Sequence, residues 1–156
     1  MTNRISLDEV YLQMAETWAK RSKALRKKTG ALLVRDQQIC SDGFNGMPKD
    51  SIDDCCELKD ENGNFVLTET GEMITNPLVC HAEANCLLKL AEKGGMGSRG
   101  ATMYVTMSPC PDCAKLIIQA KISRVVYREE YRKTEGIEIL RRYKILVDRL
   151  PHAQKD

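Results

Sequence analysis

The stretch that decides the fold is ATMYVTMSPCPDCAKLIIQAKISRVVY, residues 101–127. Its β-rich run at 101–106 predicts a strand, and the apolar run at 124–127 predicts another. Between them, the segment 110–120 begins just after Pro109 and predicts a helix. Strands that alternate with helices in this way are typical of α/β proteins, in which helices cover a sheet.

The same alternation extends in both directions along the chain. An apolar stripe at helical spacing predicts a helix over 7–20, with Ser6 and Glu9 as its capping box. The other predicted elements are strands at 31–35 and 38–42, helices at 82–93 and 135–142, and a last strand at 143–147. The order α-β-β-α-β-α-β-α-β predicts one α/β domain over 1–156, with a mixed five-stranded sheet covered by helices.

A long polar segment separates the strand hairpin from the second helix. It has no clear hydrophobic period, and Asn62-Gly63 and Thr70-Gly71 are turn signals within it. Loops of this length are usually functional or mobile. We therefore expect an insertion at about 49–76, carrying its own short hairpin.

Composition and charge exclude several classes of protein. Among 156 residues, 42% are hydrophobic and 29% are charged, with ten Gly and five Pro, which excludes a disordered or collagen-like chain. Runs such as Ala31–Val34 are too short to span a membrane, and no apolar stretch follows Arg4 as in a secretory signal. The formal net charge of +2 gives no excess for binding a nucleic acid polymer. We expect a cytoplasmic protein without a membrane partner.

Two fragments carry metal-binding chemistry, and each opens a predicted helix: Cys80-His81-Ala82-Glu83 and Ser108-Pro109-Cys110-Pro111-Asp112-Cys113. His81, Cys110 and Cys113 suit Zn²⁺ as three protein ligands, which leaves a fourth position for water. Glu83 stands two residues from His81, where it can handle protons beside the metal. This H-x-E…P-C-x-x-C pattern resembles that of the zinc nucleobase deaminases.

The C-x-x-C pair alone also fits a redox pair or a closed structural zinc site. A closed site needs a fourth ligand, for which Cys80 and Cys86 are candidates. Adjacent Cys80 and His81 rarely reach one ion together, and Cys86 lies on the helix beyond Glu83. A structural site also gives no reason for Glu83 to stand beside a ligand, so the pattern favours a catalytic zinc.

Beyond the zinc motif, the sequence resembles the deoxycytidylate (dCMP) deaminases of the zinc-dependent cytidine deaminase superfamily. The resemblance covers most of residues 6–148 and rests on Ser22-Lys23, Thr29-Gly30-Ala31, Gly43-Phe44-Asn45-Gly46-Met47-Pro48, Val79–Asn85, Met103-Tyr104-Val105, Ser108–Ala120 and Val125–Tyr131. It implies a three-layer α/β/α cytidine-deaminase-like fold, hydrolysis of dCMP to dUMP and ammonia, and a homohexamer. The alternatives are a deaminase of cytidine or tRNA adenosine, and a non-catalytic zinc module.

The resemblance also implies roles for individual residues. Zinc would lower the pKa of its bound water, and Glu83 would carry protons from that water to cytosine N3 and to the departing amine. The backbone N–H of Ala82 would hold the base carbonyl, the Ser108 region would accept from the amine, and the Tyr131 ring would stack on the pyrimidine. A second, structural zinc is not expected, because Ala24 stands where a ligand would be needed although Cys55 and Cys56 are present. We therefore expect those two thiols, with Cys40 and Cys86, to pack as small apolar groups.

A monophosphate substrate needs cations, and six of the nine residues from 20 to 28 are basic. The resemblance selects Ser22 and Lys23, with Arg26 nearby, and we read the others as a solvated helix end. Asn45 is the candidate for the deoxyribose hydroxyl, although it also fits a turn between two glycines.

The glycine-flanked element at the end of the second strand resembles the effector site of this family. That site takes dCTP as activator and dTTP as inhibitor, with Mg²⁺ on the triphosphate. The alternative is a glycine-rich turn that binds nothing. The residues assigned to the effector site are Ser41, Asp42, Gly43, Phe44, Asn45 and Gly46. Phe44 stands where this family usually has Tyr, so any contact of a ring hydroxyl is lost.

Overall fold

The computed structural model describes residues 3–52 and 54–153. The ends of the predicted 1–156 domain and residue 53 of the predicted insertion lie outside that range. Within it, the elements follow the predicted order: α1 Leu7–Ala19, β1 Gly30–Arg35, β2 Gln38–Phe44, α2 Ala82–Lys93, β3 Thr102–Met107, α3 Pro111–Gln119, β4 Arg124–Glu129, α4 Glu135–Arg142 and β5 Leu146–Arg149. None of the described helices has the length and apolar character needed to cross a membrane.

The strands form one mixed sheet in the order β2-β1-β3-β4-β5, which confirms the predicted sheet. β1 is antiparallel to both β2 and β3, whereas β3, β4 and β5 run parallel to one another. Because β3 and β4 are parallel, their carboxyl ends lie side by side, with Met107 opposite Glu129. Loops that leave this edge can therefore converge on one site.

Helices cover both faces of the sheet, which confirms the three-layer α/β/α architecture. Alternate residues of a strand point to opposite faces, and β1 follows this rule. Leu32 and Val34 belong to the buried cluster that contains residues of α1, whereas Ala31 and Leu33 belong to the cluster that contains residues of α2, α3 and α4. Both sets of side chains are buried, so β1 is covered on both faces of the sheet.

The first helix is anchored to the sheet by a buried cation. The Arg128 side chain of β4 is only 1% exposed, and its guanidinium donates to the carboxylates of Glu9 and Glu16 and to the Leu150 carbonyl. Half of the predicted capping box forms, because Ser6 Oγ accepts from the Glu9 N–H at 3.1 Å. The Glu9 carboxylate, which would complete the box, is bonded to Arg128 instead.

Two other segments depart in detail from the sequence prediction. The last strand begins at Leu146 rather than at 143, because Tyr143 caps α4 and Lys144 adopts a left-handed conformation with φ 61°. The predicted insertion contains three short segments that pair with one another, through bridges between Glu57 and Thr75, Lys59 and Phe65, and Leu67 and Met73. Its backbone is thus held by its own hydrogen bonds.

Candidate active site

The three predicted metal ligands lie at the N-termini of two helices. His81 occupies the N-cap of α2, Cys110 occupies the N-cap of α3, and Cys113 lies in the first turn of α3. Pro111 at the start of α3 removes a backbone N–H that the helix could not use. Helix N-termini carry unpaired N–H groups and positive potential, which stabilise nearby thiolates.

The distances between the three side chains fit a zinc ion. His81 Nδ1 lies 3.5 Å from Cys110 Sγ and 3.4 Å from Cys113 Sγ. Tetrahedral zinc with Zn–S near 2.3 Å and Zn–N near 2.0 Å places nitrogen and sulfur about 3.5 Å apart. Among the described residues, only this trio groups three or more ligands of this kind, so neither Cys80 nor Cys86 supplies a fourth ligand. The geometry therefore fits an open, catalytic type of site.

Hydrogen bonds favour the thiolate form of Cys110, which is the form that binds a metal cation. Donation from the Cys113 thiol and from His81 lowers the pKa of Cys110 to about 4, against the cost of its partial burial. Cys113 has a raised pKa, because its proton is bonded to Cys110 and its side chain is buried. One thiolate is thus formed easily, and a metal cation would compensate the charge of the second.

Glu83 is the second residue of α2, and it lines the same cleft as His81. Its side chain is buried, and burial raises the pKa of the carboxyl above its usual range. A carboxyl whose pKa is raised holds a proton more readily than an exposed one, which favours a role as proton carrier.

Two close contacts fix the loops around the cysteines. Gly136 of α4 packs against the loop before α3, where an added Cβ would lie 1.9 Å from the Pro109 carbonyl oxygen. Ser108 is buried, and its hydroxyl accepts from the Tyr131 N–H at 2.7 Å. The loops after β3 and β4 are thus tied together. Gly136 escaped the sequence analysis because only the packing of α4 shows its role.

A cleft of about 440 Å³ opens above these residues. His81, Glu83 and Cys110 line it, as do the predicted substrate contacts Arg26, Asn45, Ala82, Ser108 and Tyr131. The structure therefore brings together most of the predicted substrate and zinc residues around one cavity.

The cations along the cleft differ in whether they already have a hydrogen-bond or ion-pair partner. The Arg26 guanidinium donates to the Met73 carbonyl, and the Lys27 ammonium pairs with Glu129. Arg132 also lines the cleft, is exposed, and has no ion-pair partner among the residues that the structure describes. Neither Lys27 nor Arg132 is among the predicted substrate residues, although Arg132 directly follows Tyr131.

Ser22 and Lys23 do not line the first cleft. Ser22 is buried, and its hydroxyl donates to the Asn45 carbonyl at 2.8 Å and accepts from the Ala24 N–H at 3.2 Å. Lys23 lines a second cleft of about 240 Å³, together with Arg21. The turn after α1 sends 21 and 23 to that side and 24, 26 and 27 to the first cleft. The substrate contacts of Ser22 and Lys23 stay a prediction.

Asn45 lies between the two clefts and lines both. Its Oδ1 accepts from the Thr29 N–H at 2.8 Å, and its Nδ2 donates to the Lys27 carbonyl at 2.9 Å. The side chain therefore holds the loop before β1. One amide hydrogen is left for a ligand.

The predicted effector element divides into two halves. Phe44, Asn45 and Gly46 line the second cleft, with the Phe44 ring stacked on Trp18 at 6.2 Å between centroids.

The first half of that element makes structural contacts with α2. Ser41 is buried and donates to the Cys86 carbonyl at 2.7 Å, and Asp42 pairs with Lys89. Gly43 packs so closely on α2 that an added Cβ would lie 2.6 Å from the Ala82 oxygen. These three residues do not line the second cleft, and their assignment to the effector site stays a prediction.

The amino-acid sequence is similar to those of known deaminases. The profile of the cytidine and deoxycytidylate deaminase zinc-binding region matches residues 5–129. The deoxycytidylate deaminase of Enterobacteria phage T4 is 33% identical over 153 residues, covering 80% of this chain and 78% of that protein. The human deoxycytidylate deaminase is 35% identical over 123 residues, covering 78% of this chain and 64% of the longer human protein.

Solved structures agree with the sequence relatives. The crystal structure of dCMP deaminase from cyanophage S-TIM5 in complex with dCMP and dUMP superimposes with a TM-score of 0.80 at 38% identity. The match covers 94% of this chain and 100% of the cyanophage chain, so the whole of that structure has a counterpart here.

Proposed function

Since the chain belongs to the cytidine and deoxycytidylate deaminase family, we propose that it hydrolyses dCMP to dUMP and ammonia. The observation that carries this proposal is the position of buried Glu83 beside the His81, Cys110 and Cys113 cluster, in the floor of a cleft with cations along its rim. The product dUMP would be available for dTMP synthesis. A cytoplasmic location stays a prediction.

His81, Cys110 and Cys113 would hold the zinc ion. The chemistry that zinc supplies in such a site is Lewis-acid activation of a water molecule. Glu83 takes a proton from the water and delivers it to N3 of the cytosine ring, which makes C4 electrophilic. As the water oxygen bonds to C4, Glu83 carries the second proton to the 4-amino group. The C4–N4 bond then breaks and ammonia leaves, with Glu83 acting as both base and acid.

Three groups in the cleft can orient the base. Ala82 is the first residue of α2, so its N–H has no partner within the helix and can donate to the base carbonyl. The Ser108 region, which lines the same cleft, would accept from the amino group. Tyr131 lies on the opposite loop, and its backbone is fixed by Ser108, so its ring can stack on the pyrimidine.

The phosphate would bind at the rim formed by Arg26, Lys27 and Arg132. Arg132 contributes most in this proposal, because the cations of Arg26 and Lys27 are already engaged by Met73 and Glu129. A dianionic phosphate makes stronger, charge-assisted hydrogen bonds with a guanidinium than a neutral nucleoside can. This contact favours dCMP over deoxycytidine.

We place the nucleotide effectors in the second cleft. Phe44, Asn45 and Gly46 line it as the predicted element requires, and Arg21 and Lys23 supply cations for the triphosphate of dCTP or dTTP, with Mg²⁺. Asn45 is shared by the two clefts and holds the Lys27 carbonyl, so a ligand at one cleft can bias the other.

A homohexamer is part of the same proposal. Exposed Leu88 of α2 and Leu116 of α3 are apolar side chains that contacts between subunits would cover.

One assay tests the activity. Ammonia release is measured with dCMP, deoxycytidine, dCTP and adenosine at equal concentrations, using the zinc-loaded protein. We expect dCMP to be the best substrate. Faster turnover of adenosine or of dCTP would contradict the proposal.

A further inference from the structure

An unpartnered carboxylate oxygen lies in the wall of the active-site cleft. Glu57 lines this cleft although its side chain is only 2% exposed. Its Oε1 accepts from the backbone N–H groups of Leu25 at 2.9 Å and Arg26 at 3.0 Å. Its Oε2 is buried and has no hydrogen-bond partner among the described residues. Buried polar atoms are nearly always paired with a hydrogen-bond partner. We therefore expect Glu57 Oε2 to accept from a donor outside the described residues.

The position of Glu57 is fixed by the insertion that carries it. Its neighbour Leu58 donates to the Ile74 carbonyl at 2.8 Å, and Glu57 itself forms a bridge with Thr75. The same insertion accepts from the Arg26 guanidinium at Met73. These contacts make the insertion an ordered wall of the cleft. They hold Glu57 Oε2 in place before any ligand binds.

The identity of the missing donor follows from the chemistry of the substrate, and this step rests on the proposed function. Apart from its phosphate, dCMP has two hydrogen-bond donors, the 4-amino group and the 3′-hydroxyl of the sugar. The amino group belongs at the zinc end, beside Glu83. The phosphate is an anion that a carboxylate repels. Only the 3′-hydroxyl remains, and it can also accept from the spare amide hydrogen of Asn45.

We propose that Glu57 is a specificity-determining residue, whose Oε2 accepts a hydrogen bond from the 3′-hydroxyl of the substrate sugar. The insertion at 49–76 then has a function, because it supplies the acceptor that recognises the sugar. The same carboxylate positions the cation-bearing loop through Oε1.

The first test uses the unaltered, zinc-loaded protein with three substrates: dCMP, 2′,3′-dideoxycytidine monophosphate, and the 3′-deoxy-3′-fluoro analogue. Fluorine accepts hydrogen bonds weakly and donates none. We expect kcat/KM to fall about 10- to 100-fold for both analogues, as for the loss of a hydrogen bond to a charged group. A fluoro analogue that turns over as well as dCMP would overturn the proposal.

The second test separates recognition from loop positioning. Glu57→Gln keeps a carbonyl oxygen for the Leu25 and Arg26 N–H groups but removes the anionic acceptor. We expect the preference for dCMP over the dideoxy analogue to shrink about tenfold, through loss of dCMP turnover. Glu72→Gln, an exposed change in the same insertion, is the matched control and leaves that preference unchanged.

The remaining outcomes are distinguishable. An equal loss for both substrates in Glu57→Gln means that Glu57 only positions the loop, and it overturns the proposal. If this variant fails to fold, as judged by its melting temperature, the analogue series with the unaltered protein decides alone. Absence of dCMP turnover by the unaltered protein contradicts the proposed function itself. Equal turnover of dCMP and the dideoxy analogue overturns only the inference about Glu57.

Discussion

The two ends of the active-site cleft are built in different ways. At the zinc end, His81, Cys110 and Cys113 stand at the starts of helices, two of them three residues apart in the chain. We call the rest of the cleft lining the loop wall, which consists of residues 21–29, the insertion at 49–76 and Arg132 in the loop after β4. Its contacts join distant parts of the chain, such as Glu57 to Arg26 and Arg26 to Met73.

This difference assigns separate tasks to the two ends. Helix N-termini are rigid and electropositive, so the zinc end can hold ligands and a buried proton carrier in fixed geometry. The loop wall supplies cations and one carboxylate to the part of the cleft that the sugar and phosphate would occupy. We infer that the zinc end performs the chemistry and that the loop wall selects the substrate.

The largest effect should come from removing a zinc ligand. Cys113→Ala deletes one of three protein ligands, so zinc and activity should be lost together, with a loss of stability because metal binding is coupled to folding. Elemental analysis and the ammonia assay check this on the same preparation. Full zinc content in the variant would mean that the ligand set is different.

The next effect separates chemistry from metal binding at the same end. Glu83→Gln keeps the size of the side chain but cannot carry protons, so the rate should fall about 10²- to 10⁴-fold while zinc stays bound. Near-normal turnover in this variant would show that another group moves the protons. The zinc content of the variant is the control.

A smaller effect should follow from disturbing the support of the zinc end. Gly136→Ala places a Cβ against the Pro109 carbonyl, and overpacking of this kind costs about 1–3 kcal/mol. We expect a lower melting temperature and weaker zinc retention against a chelator. Gly97→Ala is the matched control, because its nearest contact would be 3.9 Å from Arg35. Equal behaviour of the two variants would contradict this role of Gly136.

The smallest effect on basal activity is expected in the loop wall, at Lys23. Because Lys23 lines the second cleft, Lys23→Ala should leave kcat/KM for dCMP within about twofold when no effector is present. Its response to dCTP with Mg²⁺ should weaken. A large loss of basal activity would indicate that Lys23 contacts the substrate. An unchanged response to dCTP would indicate that Lys23 does not contact the effector.

How far the sequence predicts the structure also differs between the two ends. The three zinc ligands and Glu83 could be predicted from the sequence, because Cys110 and Cys113 are close together in the chain. The fragment with His81 and Glu83 opens a helix, as the fragment with the two cysteines does. The alternating pattern likewise predicted the sheet and its helices, with one strand shifted by a turn at Lys144.

The loop wall could not be predicted in the same way. Glu57 is 31 residues from Arg26, and no periodic pattern links them. Among the cations from 20 to 28 the resemblance selected Lys23, with Arg26 nearby, and only the turn after α1 shows that these two residues line different clefts. Ser41 and Gly43 matched a motif, but burial against α2 accounts for both.

The central claim is that the loop wall selects a monophosphate while the zinc end does the chemistry, and it is tested most directly at Arg132, the loop-wall cation without an ion-pair partner among the described residues. We would measure kcat/KM for dCMP and for deoxycytidine with the unaltered protein and with Arg132→Ala. The unaltered protein should prefer dCMP by about 10- to 100-fold, as expected for a charge-assisted contact, and the variant should lose most of that preference while its rate with deoxycytidine is preserved. Equal kcat/KM for the two substrates in the unaltered protein, or an equal loss for both in the variant, would contradict the account.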